Sequence, residues 1–192
     1  MFKVNVDLFR TLAAGDPRVH GNGFIQLDLT DRVRAHFWGL KEIPRQTVST
    51  QIHDHKFGFT SHVLKGALRQ FEYRIVPEPD GFSSRYQPHI ARMRHQADTA
   101  LEPFCKPINL TPANSFDIFA GQHYAMTTDA IHETVPLMPT VSVIRKDAPT
   151  LAQGGHAPLV YVPVGLIPDG DFDRHSFSST MLWELINMVI NA

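Results

Sequence analysis

Ile52-His53-Asp54-His55 places two imidazoles one residue apart in an extended apolar stretch that runs from Val48 to His55. On a β-strand the side-chain period of two sends His53 and His55 to one face and Asp54 to the other, so both rings can grip one metal ion. Neutral imidazole is the commonest protein metal ligand, and such a site needs a third donor from elsewhere in the chain. Ile131-His132-Glu133, at the end of a distant apolar segment, offers that donor. A metal so held can polarise a substrate, orient it, or exchange electrons with it.

Other side chains stand as candidates of a second order. Gln51 shares the face of His53 and could orient a bound water. His62 could line a cavity, and His123, at a turn, could compete as a ligand. Asp54 and Glu133 should point away from the metal and orient neighbours or meet solvent. Tyr73 and Tyr124 could donate a phenolic hydrogen bond, with core packing as their ordinary role. Arg69, Arg74 or Arg145 could pair with an anionic substrate. His20, His36, His89, His95, His156 and His175 have no spacing partner, and no part in catalysis is expected of them.

Short strands must carry these residues. Phe24 to Leu29, Val33 to Trp38, Ser61 to Leu64, Leu68 to Val76, Thr140 to Ile144 and Leu159 to Val162 read as strands. Between His89 and His95 the chain reads as a polar strand or irregular. Ile108-Asn109-Leu110, Ser115 to Phe119, Tyr124 to Met126 and Ala130 to His132 read as separate short segments. Pro77 to Pro88 reads as a loop, and Gly154-Gly155 marks another. Helical spacing occurs only near the ends, over Val6 to Ala14 and over Ser178 to Ile190, the second capped by Ser178 or Ser179. Many short strands with helices at the termini predict an all-β chain folded as an antiparallel barrel or jelly roll.

A length of 192 residues suits a single domain spanning 1–192. The net charge of −1 and the scattered Lys and Arg residues argue against a nucleic-acid partner. No apolar run approaches the roughly 20 residues of a membrane helix, and the start of the chain lacks a signal-peptide pattern. Cys105 is the one cysteine, so no intrachain disulfide can form, which suits a cytoplasmic protein. The apolar segment from Met181 to Ile190 is free to pack on the barrel or on a second copy, and a homodimer is an expectation on that ground.

At His53 and His55 the chain resembles the first motif of the cupin superfamily, a His-X-His pair followed by a glycine turn. Gly66 in Val63-Leu64-Lys65-Gly66-Ala67-Leu68 matches that turn. The run from Phe119-Ala120-Gly121-Gln122-His123-Tyr124 to Ile131-His132-Glu133-Thr134-Val135 resembles the second motif. His55 and His132 lie 77 residues apart, longer than in minimal cupins, and the extra residues are placed between Pro77 and Pro107. The motif's glutamate is replaced by Phe59 or Thr60, which leaves a first shell of three histidines. Within the superfamily that loss looks like the thiol dioxygenases, of which cysteine dioxygenase is the best known. They hold Fe(II) on three histidines and add both atoms of O₂ to a thiolate.

The thioether-forming cysteine of many members would fall near Thr60, and no arginine matches their carboxylate ligand. The departures favour a related three-histidine cupin over cysteine dioxygenase itself. The resemblance implies a cupin-type jelly-roll barrel with short terminal helices. It also implies a divalent metal, foremost Fe(II), on His53, His55 and His132, and a small-molecule substrate. The same donors suit zinc, nickel or manganese. A non-catalytic binding or structural cupin with a stabilising metal, and a metal-dependent isomerase or hydrolase, are the competing readings.

Overall fold

β-Branched and aromatic residues recur in short runs between turn residues, and among the described residues the runs pair antiparallel into two sheets of six strands each. The computed structural model describes residues 4–46, 51–94, 98–148, 157–169 and 173–192. One sheet is ordered β1 (Arg18–His20), β2 (Phe24–Asp28), β3 (Val33–Trp38), β11 (Thr140–Lys146), β4 (Phe59–Lys65) and β9 (His123–Met126). The other is ordered β10 (Ile131–Pro136), β5 (Ala67–Val76), β8 (Ile108–Phe119), β6 (Ser84–Arg94) and β12 (Leu159–Pro163), with β7 (Asp98–Pro103) paired to β6. The two sheets form a jelly-roll barrel with a helix at each end of the chain: α1 (Val6–Leu12) and α2 (Ser179–Asn191).

The first sheet is largely buried on both faces over β2 and β3, and that decides what these strands can carry. Val19, Ile25, Leu27, Ala35 and Phe37 form one core with Leu182, Leu185, Ile186 and Val189 of α2. The intervening residues Phe24 and Trp38 join Phe59, Val63, Leu68, Ile118 and Tyr124 in a second core between the sheets. α2 therefore packs on its own barrel. Ser178 caps it by accepting the Met181 N–H at 3.2 Å, and the Lys65 ammonium donates to the C-terminal carbonyls of Val189 at 3.2 Å and Ile190 at 2.6 Å.

Turn chemistry fixes the registers. Gly66 takes φ +80° between β4 and β5, and a Cβ there would meet Thr140 Oγ1 and the Pro139 carbonyl, so glycine is required on two counts. The Ala67 N–H donates to Thr140 Oγ1 at 2.9 Å across the same turn.

The expected strand from Val48 to His55 is not regular. Residues 47–50 lie outside the described set, and His53 makes isolated bridges to His132 on β10 and Val160 on β12. The His53 N–H donates to the His132 carbonyl at 3.0 Å and the reverse bond is 2.9 Å. On the other side the Asp54 N–H donates to the Leu159 carbonyl at 3.0 Å, and the Tyr161 N–H to that of Ile52 at 3.0 Å. Three residues thus join the two outer strands of the second sheet.

Other expectations need correction. The loop expected over Pro77 to Pro88 ends sooner, because β6 begins at Ser84. Ile108–Leu110 and Ser115–Phe119 belong to one strand, β8, whose pairing with β5 shifts register between Glu72 and Tyr73, the residue opposite Pro112; the irregularity accommodates a proline that lacks an N–H. β1 and β7 were not anticipated, being short and poor in β-branched residues. Gly154-Gly155 lies outside the described residues.

Candidate metal centre and its cavity

Two segments bring the histidines together. β10 supplies His132, and the bridge at His53 docks the His53-Asp54-His55 segment beside it. One ring nitrogen from each of His53, His55 and His132 lies within 4.8 Å of the others. His55 Nε2 and His132 Nε2 are 2.9 Å apart. Two nitrogens each about 2.1 Å from one ion, at right angles around it, stand about 3 Å apart, so this spacing fits adjacent corners of a coordination shell.

The outer nitrogens are held. The His132 Nδ1–H donates to Gln70 Oε1 at 3.0 Å, and Thr134 Oγ1 donates to the same oxygen at 2.9 Å. That bond fixes the tautomer and leaves the His132 Nε2 lone pair facing His55. His53 Nδ1 lies 3.3 Å from the Gln51 carbonyl, which plays the corresponding part. Burial, then the neighbouring histidines, holds His55 well below the ordinary imidazole pKa, and burial followed by His53 does the same to His132. These two rings are thus neutral donors, the form a metal requires. Among the described residues no carboxylate joins the group. Phe59, 2% exposed, stands edge-on to the His55 ring at 4.9 Å and seals that side with hydrocarbon.

Asp54 turns away from the rings. Its carboxylate accepts the Leu159 N–H at 2.7 Å and the Tyr161 hydroxyl at 3.1 Å, which pins the histidine segment to β12. Glu133 also points elsewhere, pairing with Arg45 at 3.0 Å and lying 3.5 Å from the Tyr73 hydroxyl.

The histidines open on a cavity of about 1170 Å³ between the sheets. Its far wall is built by alternate residues of β1, β2 and β3: Arg18 and His20, Phe24 and Gln26, then Arg34, His36 and Trp38. Register sets Arg18 opposite Gln26, Gln26 opposite His36, and Phe24 opposite both His20 and Trp38. The rings form a ladder, with Phe24 centroids 4.4 Å from His20, 4.4 Å from His36 and 4.1 Å from Trp38.

His20, His36 and His175, for which the sequence offers no spacing partner, line the cavity. The signal was legible: Arg34-x-His36-x-Trp38 alternates with Val33, Ala35 and Phe37, so a polar face had to lie opposite the helix-covered one. Tyr124 lines the cavity and Tyr73 does not. His62 and His123 are exposed, stacked on each other at 5.2 Å across β4 and β9, and absent from the cavity wall. Arg69 is held by Asp117 at 2.6 Å on the surface, and Arg74 and Arg145 are exposed. His89 is buried, with Nδ1 2.9 Å from the Gln87 carbonyl. His95 and His156 lie outside the described residues.

No family model and no curated protein matches this chain. Among solved structures it is similar to hydroquinone 1,2-dioxygenase from Sphingomonas sp. TTNP3 with 4-hydroxybenzoate bound, at 9% identity and a TM-score of 0.35, over 77% of this chain and 74% of that one. A hydroquinone 1,2-dioxygenase in complex with Cd²⁺ and 4-hydroxybenzonitrile gives 12% identity and 0.35, over 77% and 73%. Oxalate decarboxylase from Bacillus subtilis gives 9% and 0.33, over 83% of this chain and 30% of that one. Likeness at this level leaves the chemistry to be read from the chain's own residues. No helix among the described residues is long and apolar enough to cross a membrane.

Proposed function

We propose that this chain is a metal-binding cupin that holds one divalent cation on His53, His55 and His132. Its activity on this reading is that of an Fe(II)-dependent dioxygenase acting on a small organic substrate. The carrying observation is the convergence of three imidazoles, with the outer nitrogens of His53 and His132 on the Gln51 carbonyl and the Gln70 amide oxygen. A three-protein-ligand set keeps coordination positions for substrate and oxygen, as catalytic sites do. Bound iron would supply the electron exchange that lets O₂ react with an organic molecule.

The chain's own residues do the rest. Gln70 and the Gln51 carbonyl aim the rings. Asp54, through Leu159 and Tyr161, holds the segment that carries two of them. Phe59 and Tyr124 exclude water from the rim of the site. A thiol stays among the substrates to be tried.

The test is elemental analysis of protein purified without chelator, followed by oxygen uptake with candidate thiols and other small organics. Stoichiometric iron, lost in His132→Ala, with substrate-dependent oxygen consumption is expected. Zinc with no oxygen chemistry would shift the reading to an isomerase, a hydrolase or a stabilising metal. Failure to retain any metal after reconstitution would overturn the site.

A further inference from the structure

Among the described residues, the cavity wall built on β1, β2 and β3 carries a surplus of positive charge. Arg18 Nη2 lies 2.6 Å from Asp28 Oδ2, and Arg34 Nε lies 2.8 Å from Asp28 Oδ1. Arg174 lines the same wall, held through its backbone, whose carbonyl accepts the Val19 N–H at 3.1 Å. Two guanidiniums thus share the Asp28 carboxylate while a third, Arg174, stands nearby; burial holds both Arg34 and Arg174 below the ordinary arginine value, against the pull of Asp28, with Arg18 adding to it and, for Arg174, Arg34 as well. Surplus guanidinium charge in a partly dry wall is the arrangement that recognises a planar oxyanion.

A second observation comes from His36. Its side chain is buried at 7% exposure, lines the cavity, and leaves both ring nitrogens without a hydrogen-bond partner among the described residues. A buried imidazole with nothing to bond to is costly unless a ligand completes it. Its ring neighbours are Phe24, tilted against it at 4.4 Å, and Trp38, in an edge contact at 5.8 Å. The cavity, about 1170 Å³, is also far larger than a small amino-acid thiol requires, since pockets of about 300–1,000 Å³ hold drug-sized molecules.

We propose that this pocket takes an organic acid on a flat apolar body, its carboxylate seated on Arg34 and Arg174 with a hydrogen bond from His36. The apolar body lies along the Phe24–Trp38 wall, and the opposite end of the molecule points to the three histidines. This rests on the reading of the cavity as the substrate pocket, while the acid's affinity for the arginine wall does not depend on the metal.

The experiment uses chelator-treated, metal-free full chain and measures titration calorimetry, with tryptophan fluorescence as a second readout. The probes are benzoate, inorganic phosphate and benzyl alcohol. Benzoate is expected to bind at least about tenfold more tightly than either of the others, and Arg174→Gln and Arg34→Gln are each expected to weaken it about tenfold or more. His36→Phe, which preserves the ring volume, is expected to weaken it several-fold. Benzyl alcohol binding as well as benzoate would overturn the anion site, and phosphate binding as well would overturn the apolar-bodied acid. Should Arg34→Gln disturb folding, as judged by circular dichroism, Arg174→Gln decides, because that side chain has no role in strand pairing; unchanged benzoate affinity there sinks the proposal. His132→Ala should abolish metal retention and leave benzoate affinity intact, which separates failure at the arginines from failure of the metal centre.

Discussion

Gln70 is an uncharged side chain with no exposed surface, and its amide oxygen serves both His132 and Thr134. Removing such an outer partner commonly lowers metal affinity by about 10–100-fold. Gln70→Ala should therefore weaken metal binding by that order in a chelator competition, whereas unchanged affinity would deny Gln70 its aiming role. His36 supports a pH prediction. Burial, with Arg34 next in weight, lowers its pKa from 6.5 to about 3. Below pH 6.5 the unfolded chain takes a proton that the folded chain refuses, so stability is full above that value and declines toward pH 3. At pH 5 the cost is about 2 kcal/mol. Urea melts at pH 7 and pH 5 should show His36→Phe losing about 2 kcal/mol less than the unaltered chain, and equal acid sensitivity would count against a buried neutral His36. The three metal candidates were legible because a two-residue spacing and a third apolar-flanked histidine are sequence patterns. Gln70 was not, since a glutamine in an alternating strand looks solvent-facing until the barrel closes over it.

At the scale of elements, the turn at Gly66 does two jobs. It joins β4 to β5, and β5 delivers Gln70 to His132. Left-handed backbone costs an L residue roughly 1–2 kcal/mol and overpacking typically 1–3, so Gly66→Ala should cost about 3 kcal/mol or more, read as a fall in the urea midpoint. A midpoint within experimental error of the parent would contradict the crowding by Thr140 and Pro139. Most strands could be read from their sequences, because β5 and β11 hold runs of β-branched or alternating residues. β2 and β3 could be placed but not understood: α2 covers one face and the cavity occupies the other, so both faces are buried for different reasons. The stretch leading to His55 looked extended from its His-x-His spacing, yet among the described residues its backbone bonds reach two separate strands through Ile52, His53 and Asp54. Long-range pairing of that kind leaves no mark on local periodicity.

For the whole molecule, the N- and C-terminal helices act as a third layer on the first sheet. Ile186 has no exposed surface and belongs to the core with Phe37 and Val141, so Ile186→Ala should cost about 2–5 kcal/mol, measurable in the same urea series; a smaller loss would mean the helix is only loosely docked. The join made by Ile52, His53 and Asp54 has a consequence for solubility. β10 and β12 are the two ends of the second sheet, and in the folded chain neither is bare, because that short segment lies between them. A row of unpaired N–H and C=O groups is a template for another chain. If the histidines hold a metal, the ion also rivets this patch in place, and local opening becomes rarer by the binding free energy. Chelation should then raise aggregation before it unfolds the barrel, with amide exchange accelerating first in β10 and β12. The same His53 would thus be both a ligand and the guard that keeps two sheet ends from finding a neighbour.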